Sequence, residues 1–129
     1  MTDQEFATAF ENGHIPKEEF RHVDHLRLAW HYGTVAGFED AARKVAAGIK
    51  RFAERNNLGG LYHETITMFW VSEIYRVIPS CPAASFAEFA EKNPWLKDKN
   101  YIFSFYSEQV LHSEKARKEW VAPDIKERK

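Results

Sequence analysis

The residues best suited to chemistry in this sequence are three histidines beside expected helix starts. His22 and His25 stand three apart in FRHVDHLRLAW (20–30), and His63 lies in YHETITMFW (62–70). Neutral imidazole binds zinc, iron, copper or nickel, and it can also act as a general base. Three such rings with one open position would make a mononuclear metal site that accepts water or a substrate.

The first two histidines depend on where their helix begins. Asp24 is a suitable N-cap, which places His25 at the first helical position and leaves His22 in the preceding loop. Val23 and Leu28 then sit at the two ends of a hydrophobic staple. Position 25 falls on the inward stripe of this helix, and the positive end of the helix dipole disfavours imidazolium there. We therefore expect His25 to be neutral and partly buried.

The third histidine has neighbours that could share its work. His63 lies on a mostly apolar line of its helix, so its ring should also face inward. Glu64 could orient a ligand or act as a general base, and Tyr62 could donate a hydrogen bond to substrate. His112 and Glu108, further along the chain, are weaker candidates for an additional ligand.

Two hypotheses of function follow from these residues. In the first, His22, His25 and His63 hold a divalent transition metal that acts on or binds a small molecule, with Glu64 and Tyr62 assisting. In the second, the same histidines are structural or line a metal-free pocket, and the protein is a small-molecule binding or protein-interaction module, with a homodimer as one form. The HxxH spacing is common, and the sequence has no HExxH motif. The residue types fit an enzyme or a binding protein.

Other polar and aromatic residues have simpler interpretations. His31 should be solvated on the polar face of its helix, and His14 should be exposed in the NGHIP turn. Cys81 lies between two prolines without a local base, so we interpret it as a loop residue. The aromatic residues fit a core better than a cofactor site, and in a loosely filled core they could line a small-molecule pocket. They are Trp30, Tyr32, Phe69, Trp70, Phe103, Phe105 and Tyr106.

The composition indicates one folded domain over residues 1–129. Hydrophobic residues are 44% and aromatic residues 15% of the chain, which is enough for a core without disulfides. The formal net charge of −1 gives no sign of a nucleic-acid partner. No apolar run approaches the roughly 20 residues that span a bilayer, so we expect no membrane partner. A single cysteine fits a cytoplasmic protein.

Helical periodicity dominates the chain, and alternating strand patterns are absent. We therefore predict an all-α, single-domain bundle of five to six helices. The fourth helix is apolar on much of its circumference, so it should be central. The tail should be an extended strap or a frayed end. The expected helices cover about 2–13, 24–35, 38–56, 62–78, 85–93 and 101–120, and the tail covers 120–129.

Three stretches of this chain resemble a group of small bacterial helical proteins of unassigned function. They are F-x-H-x-x-H-L-R-L-A-W-x-Y at 20–32, Y-H-E-T-I-T-x-F-W at 62–70, and the tail WVAPDIK at 120–126. The resemblance extends over most of the chain. It implies a compact helical domain, and it implies no reaction.

Overall fold

The computed structural model describes residues 1–126, and in that part of the chain every regular element is a helix. This confirms the predicted all-α class. The α-helices are α1 (Asp3–Glu11), α2 (His22–Val35), α3 (Phe38–Arg55), α4 (Glu64–Val77), α5 (Phe86–Lys92), α6 (Glu108–Leu111) and α7 (Glu114–Lys118). Short 3-10 turns lie at Lys17–Glu19, Gly59–Leu61, Ile78–Ser80, Pro94–Lys97 and Lys99–Ser104. No helix within residues 1–126 is both long and apolar enough to cross a membrane.

The centre of the bundle is formed by α2, α3 and α4, which all pack against one another. The inward side of α3 repeats at helical spacing, with Ala41, Val45, Ile49 and Phe52 buried as the sequence predicts. Helix α1 packs across α2 and α3, and α7 packs against α4. The fourth helix is therefore central, as its apolar circumference indicated.

One prediction about the polar side of α2 is wrong. His31 is only 8% exposed, although we expected it to be solvated. On the same side of α2, Arg27 forms an ion pair with Asp3 at 2.7 Å and lies over the ring of Phe6. A helix contacted on several sides buries its polar positions as well, which the sequence of α2 alone does not show.

The predicted last helix, 101–120, is broken into short pieces. Residues up to Ser104 form a 3-10 turn, and α6 and α7 each begin after a serine. The side chain of Ser107 accepts a hydrogen bond from Val110 N–H, and that of Ser113 accepts one from Ala116 N–H. Each serine acts as an N-cap, so the chain restarts a helix where a continuous one was predicted.

The C-terminal segment is held along the bundle as an extended strap. Thr65 donates its hydroxyl to Glu119 O at 2.8 Å and accepts from Val121 N–H at 3.1 Å. Tyr106 donates to Val121 O, and Asp124 accepts from Ser107 N–H. Both an extended strap and a frayed end were considered for the tail; up to residue 126 it lies along the bundle through these hydrogen bonds, and residues 127–129 lie outside the described part.

Candidate functional site

A cavity of about 500 Å³ opens beside the first turns of α2 and α4. This volume is within the usual range of small-molecule pockets. Its apolar wall comes from helices of the central bundle and from α6: Ala29, Val45, Ile49, Ile66, Trp70, Val71 and Leu111. Four histidines, His22, His25, His63 and His112, stand among its polar lining. The structure thus brings the three predicted site histidines, which are far apart in sequence, to one cavity.

Helix α2 begins three residues earlier than predicted, and the roles of its first residues change. Arg21 is the N-cap, and His22 is the first helical residue instead of a loop residue. Asp24 is therefore not the N-cap. It occupies the third helical position, where its carboxylate accepts a hydrogen bond from Arg21 N–H at 2.9 Å. An acidic side chain satisfies a free backbone N–H from either position, so the local sequence fits both.

The shifted start also replaces the predicted staple. Val23 is exposed, so the Val23–Leu28 pair does not form one. The residue before the N-cap is Phe20, and its ring lies 4.2 Å from the ring of His25. These are the two positions of a staple for the observed helix start. Phe20 in turn packs against the buried rings of Phe10 in α1 and Phe52 in α3, so it holds His25 beside this aromatic cluster.

The ring of His25 is neutral and presents a lone pair. Its Nδ1 lies 3.0 Å from Arg21 O, and because a carbonyl only accepts, Nδ1 carries the proton. Nε2 is then an acceptor, and no group of residues 1–126 hydrogen-bonds it. Burial lowers the pKa of His25 to about 4, with a further contribution from nearby His22.

His22 has the opposite tautomer. Its Nε2 donates to Leu96 O at 2.9 Å, which leaves Nδ1 unprotonated. The ring meets Trp70 edge-on, with centroids 4.6 Å apart. Burial lowers the pKa of His22 below its usual value. At neutral pH this ring is therefore a second uncharged group beside the cavity.

His63 has both ring nitrogens occupied by backbone groups. It is the N-cap of α4, and Nδ1 accepts from Ile66 N–H at 3.1 Å. Nε2 donates to Leu111 O at 2.6 Å. The ring therefore caps the start of α4 and joins it to the end of α6. Neither nitrogen can bind a metal without breaking one of these hydrogen bonds.

Tyr62 and Glu64 form a pair of their own. The hydroxyl of Tyr62 donates to Glu64 Oε1 at 2.7 Å, and Lys50 Nζ lies 5.1 Å from the ring centroid. Burial, followed by this hydrogen bond and the charge of Glu64, raises the pKa of Tyr62. Tyr62 lines the cavity, whereas Glu64 does not. In this arrangement Glu64 orients a neutral Tyr62.

Of the remaining candidate residues, only His112 lines the cavity. His112 lines the cavity and is exposed, whereas exposed Glu108 is not part of the lining. His14 is exposed, as expected, and is not part of the cavity. Cys81 is a half-buried loop residue whose sulfur accepts a hydrogen bond from Asn93.

The mouth of the cavity contains Leu61, Lys99 and Asn100, which the sequence did not single out, and Phe103, which was wrongly expected in the core. Leu61 and Phe103 line it and remain 74% and 36% exposed, so two apolar side chains border the opening. Lys99 and Asn100 stand on the same side as Phe103, in the 3-10 turn Lys99–Ser104. Without a helical repeat in this segment, sequence spacing gave no signal for them.

A metal centre remains a prediction at this cavity. Within residues 1–126, no three or more His, Cys, Asp or Glu side chains are grouped so that they could hold a metal ion. His22 and His25 each keep an unprotonated nitrogen, but His63 would first have to release Ile66 or Leu111. The arrangement fits a neutral, largely apolar small molecule with one or two polar groups without any such change.

Comparison of the chain with protein-family models, with curated proteins and with solved structures finds no match.

Proposed function

We propose that this protein binds a small, mainly apolar molecule in the histidine-lined cavity without a metal ion. The observation that carries the proposal is the cavity itself, about 500 Å³ in volume, with an apolar wall and uncharged imidazoles beside it. Burial of an apolar ligand against such a wall stabilises the complex by roughly 25 cal/mol for each Å² of apolar surface removed from water.

The state of the histidines supports binding over metal chemistry. A structural metal site usually presents three or four converging ligands whose other ring nitrogens donate to carboxylates or carbonyls. Here His63 uses both nitrogens to hold helix ends. His22 and His25 are each fixed by a backbone carbonyl, so their rings are positioned without a metal.

The mouth supports the same function. Leu61 follows two glycines in the turn Gly59–Leu61, and an added Cβ at Gly60 would meet nothing within 4 Å. Together with Phe103, Leu61 gives the opening an apolar border that a hydrophobic ligand would cover.

The test is a fluorescence titration of chelator-treated protein with N-phenyl-1-naphthylamine, an uncharged probe that brightens in apolar sites. Thr67 is half-buried in the lining, so Thr67→Phe should fill the cavity and weaken binding at least tenfold. Thr8→Phe is the matched control, because Thr8 is exposed on α1 away from the cavity. Equal binding by both variants, or no saturable binding by the wild type, would refute the proposal.

A further inference from the structure

We infer that the ligand of this cavity is an uncharged aromatic compound with a hydroxyl group, and that this hydroxyl donates to Nε2 of His25. The inference rests on the proposed function and specifies the chemical class of the bound molecule. Its basis is the fixed orientation of one imidazole beside an apolar, aromatic-walled space.

His25 is held so that one particular nitrogen is available. Nδ1–H donates to Arg21 O, and the ring packs against that of Phe20 at an interplanar angle of 51°. Rotating the ring to present an N–H would break the first contact and disturb the second. Nε2 therefore offers a lone pair, which calls for an O–H or N–H donor on the ligand.

The second histidine reinforces the choice of a donor. His22 also has its proton committed to a backbone carbonyl, at Leu96, and its Nδ1 is an acceptor. A carboxylate ligand would face two lone pairs in a partly desolvated space, where nothing in the tautomers compensates its charge. A hydroxyl avoids this cost.

Lys99 is the feature that could favour an anion instead. It lines the mouth, but it is exposed, and Asp98 lies next to it in the chain. Both charges act on His22, and they act in opposite directions. Because these neighbouring charges are opposite, they give the mouth no strong preference for an anionic ligand, and an exposed lysine can stay solvated.

An aromatic body fits the wall. Trp70 lines the cavity, with its ring held between His22 and the buried ring of Phe69. Phe103 borders the opening. Planar rings make offset or edge contacts with such side chains that add to the burial of area. A fused-ring phenol of two rings is a suitable probe for the space available.

The experiment compares three probes with one shared ring system by isothermal titration calorimetry at pH 7: 2-naphthol, 2-methoxynaphthalene and 2-naphthoate. We expect 2-naphthol to bind wild-type protein about tenfold more tightly than 2-methoxynaphthalene, which lacks the donor, and more tightly than 2-naphthoate. In His25→Leu the difference in affinity between 2-naphthol and 2-methoxynaphthalene should disappear. In His25→Gln, whose amide oxygen can accept a hydrogen bond near the same point, part of this difference should return. His14→Ala, a histidine outside the cavity, should leave it unchanged.

The outcomes separate the two proposals. Equal binding of naphthol and its methyl ether, tightest binding of naphthoate, or a preference that survives in folded His25→Leu would overturn the inference and leave the binding function intact. Absence of binding by all three probes would overturn both. If His25→Leu does not fold, the comparison of the three probes on wild-type protein decides.

Discussion

His63 and Leu111 join two helices through one short hydrogen bond: Nε2 of the imidazole donates to the Leu111 carbonyl at 2.6 Å. The same ring caps α4 through Nδ1 and the N–H of Ile66. One side chain therefore fixes the start of α4 and the end of α6, and it forms part of the cavity between them.

Loss of this ring should destabilise the fold. We expect His63→Ala to lower the free energy of unfolding by about 2 kcal/mol, because it removes an N-cap and a partly buried hydrogen bond. Urea unfolding followed by circular dichroism measures the change. His63→Asn, which can still cap α4, should recover about half of the loss.

His112→Ala is the control for this prediction, since His112 lines the same cavity but is exposed. It should change the free energy of unfolding by less than about 0.5 kcal/mol. A His63→Ala protein as stable as His112→Ala would show that the histidine does not hold the helix ends.

Stability should fall as the pH drops from about 6.5 towards 4, and His25 should account for much of the fall. The pKa of His25 is lowered to about 4 in the folded protein, so the unfolded chain binds the proton first. The stabilisation is complete above the unfolded pKa of about 6.5 and is lost as the pH falls to the folded pKa; its upper limit is about 3 kcal/mol.

Urea unfolding of wild type and His25→Gln at pH 7, 6 and 5 measures this contribution. The difference in unfolding free energy between the two proteins should shrink steadily over that range. His22, whose pKa is also lowered, and Asp24 remain in both proteins, so the comparison isolates His25. A difference that is constant with pH would contradict the buried, neutral state of the ring.

The strap over α4 should depend on one hydroxyl. Thr65 is fully buried and hydrogen-bonds both Glu119 and Val121. Thr65→Val should lower the unfolding free energy by about 2 kcal/mol, because two backbone groups lose their partner. Hydrogen exchange should become faster at Val121. Thr65→Ser retains the hydroxyl and should retain the protection, and equal exchange in Thr65→Val and wild type would refute the role.

A close contact between α1 and α3 predicts an unusual response to alanine. A Cβ at Gly48 would lie 2.9 Å from Phe10 Cε2, and Phe10 is packed against Phe20 and Phe52. Gly48→Ala should therefore destabilise the protein by about 1 kcal/mol, although alanine favours helix by about that amount at an open site. Thermal unfolding checks the sign. Gly60→Ala, in open space, should be near neutral, and a more stable Gly48→Ala protein would contradict the packing.

The sequence was sufficient for features that depend on local repeats. The inward residues of α3 and the end of α2 at Val35 follow from helical spacing and were predicted correctly. The inward position of His25 is also retained, because a shift of three residues moves it only from the first to the fourth position of the same helix.

Features that depend on contacts between distant segments were not predictable in this way. Nothing near His63 indicates that its partner is the carbonyl of Leu111, 48 residues away. His31 is buried on a helix that α1, α3, α4 and α5 all contact, which the sequence of α2 does not reveal. The break at Ser107 and Ser113 reflects a choice between helix continuation and capping that tertiary packing decides. The spacing of residue types along the chain does not reveal which distant segments pack together, nor whether a serine will start a new helix.

The most direct test of the central claim is calorimetric titration of N-phenyl-1-naphthylamine into protein whose metal content has been measured after chelation. We expect metal-free protein to bind one probe molecule per chain, with an affinity that added Zn²⁺ leaves unchanged. Saturable binding that occurs only after Zn²⁺ is restored, or no binding in either state, would contradict this expectation.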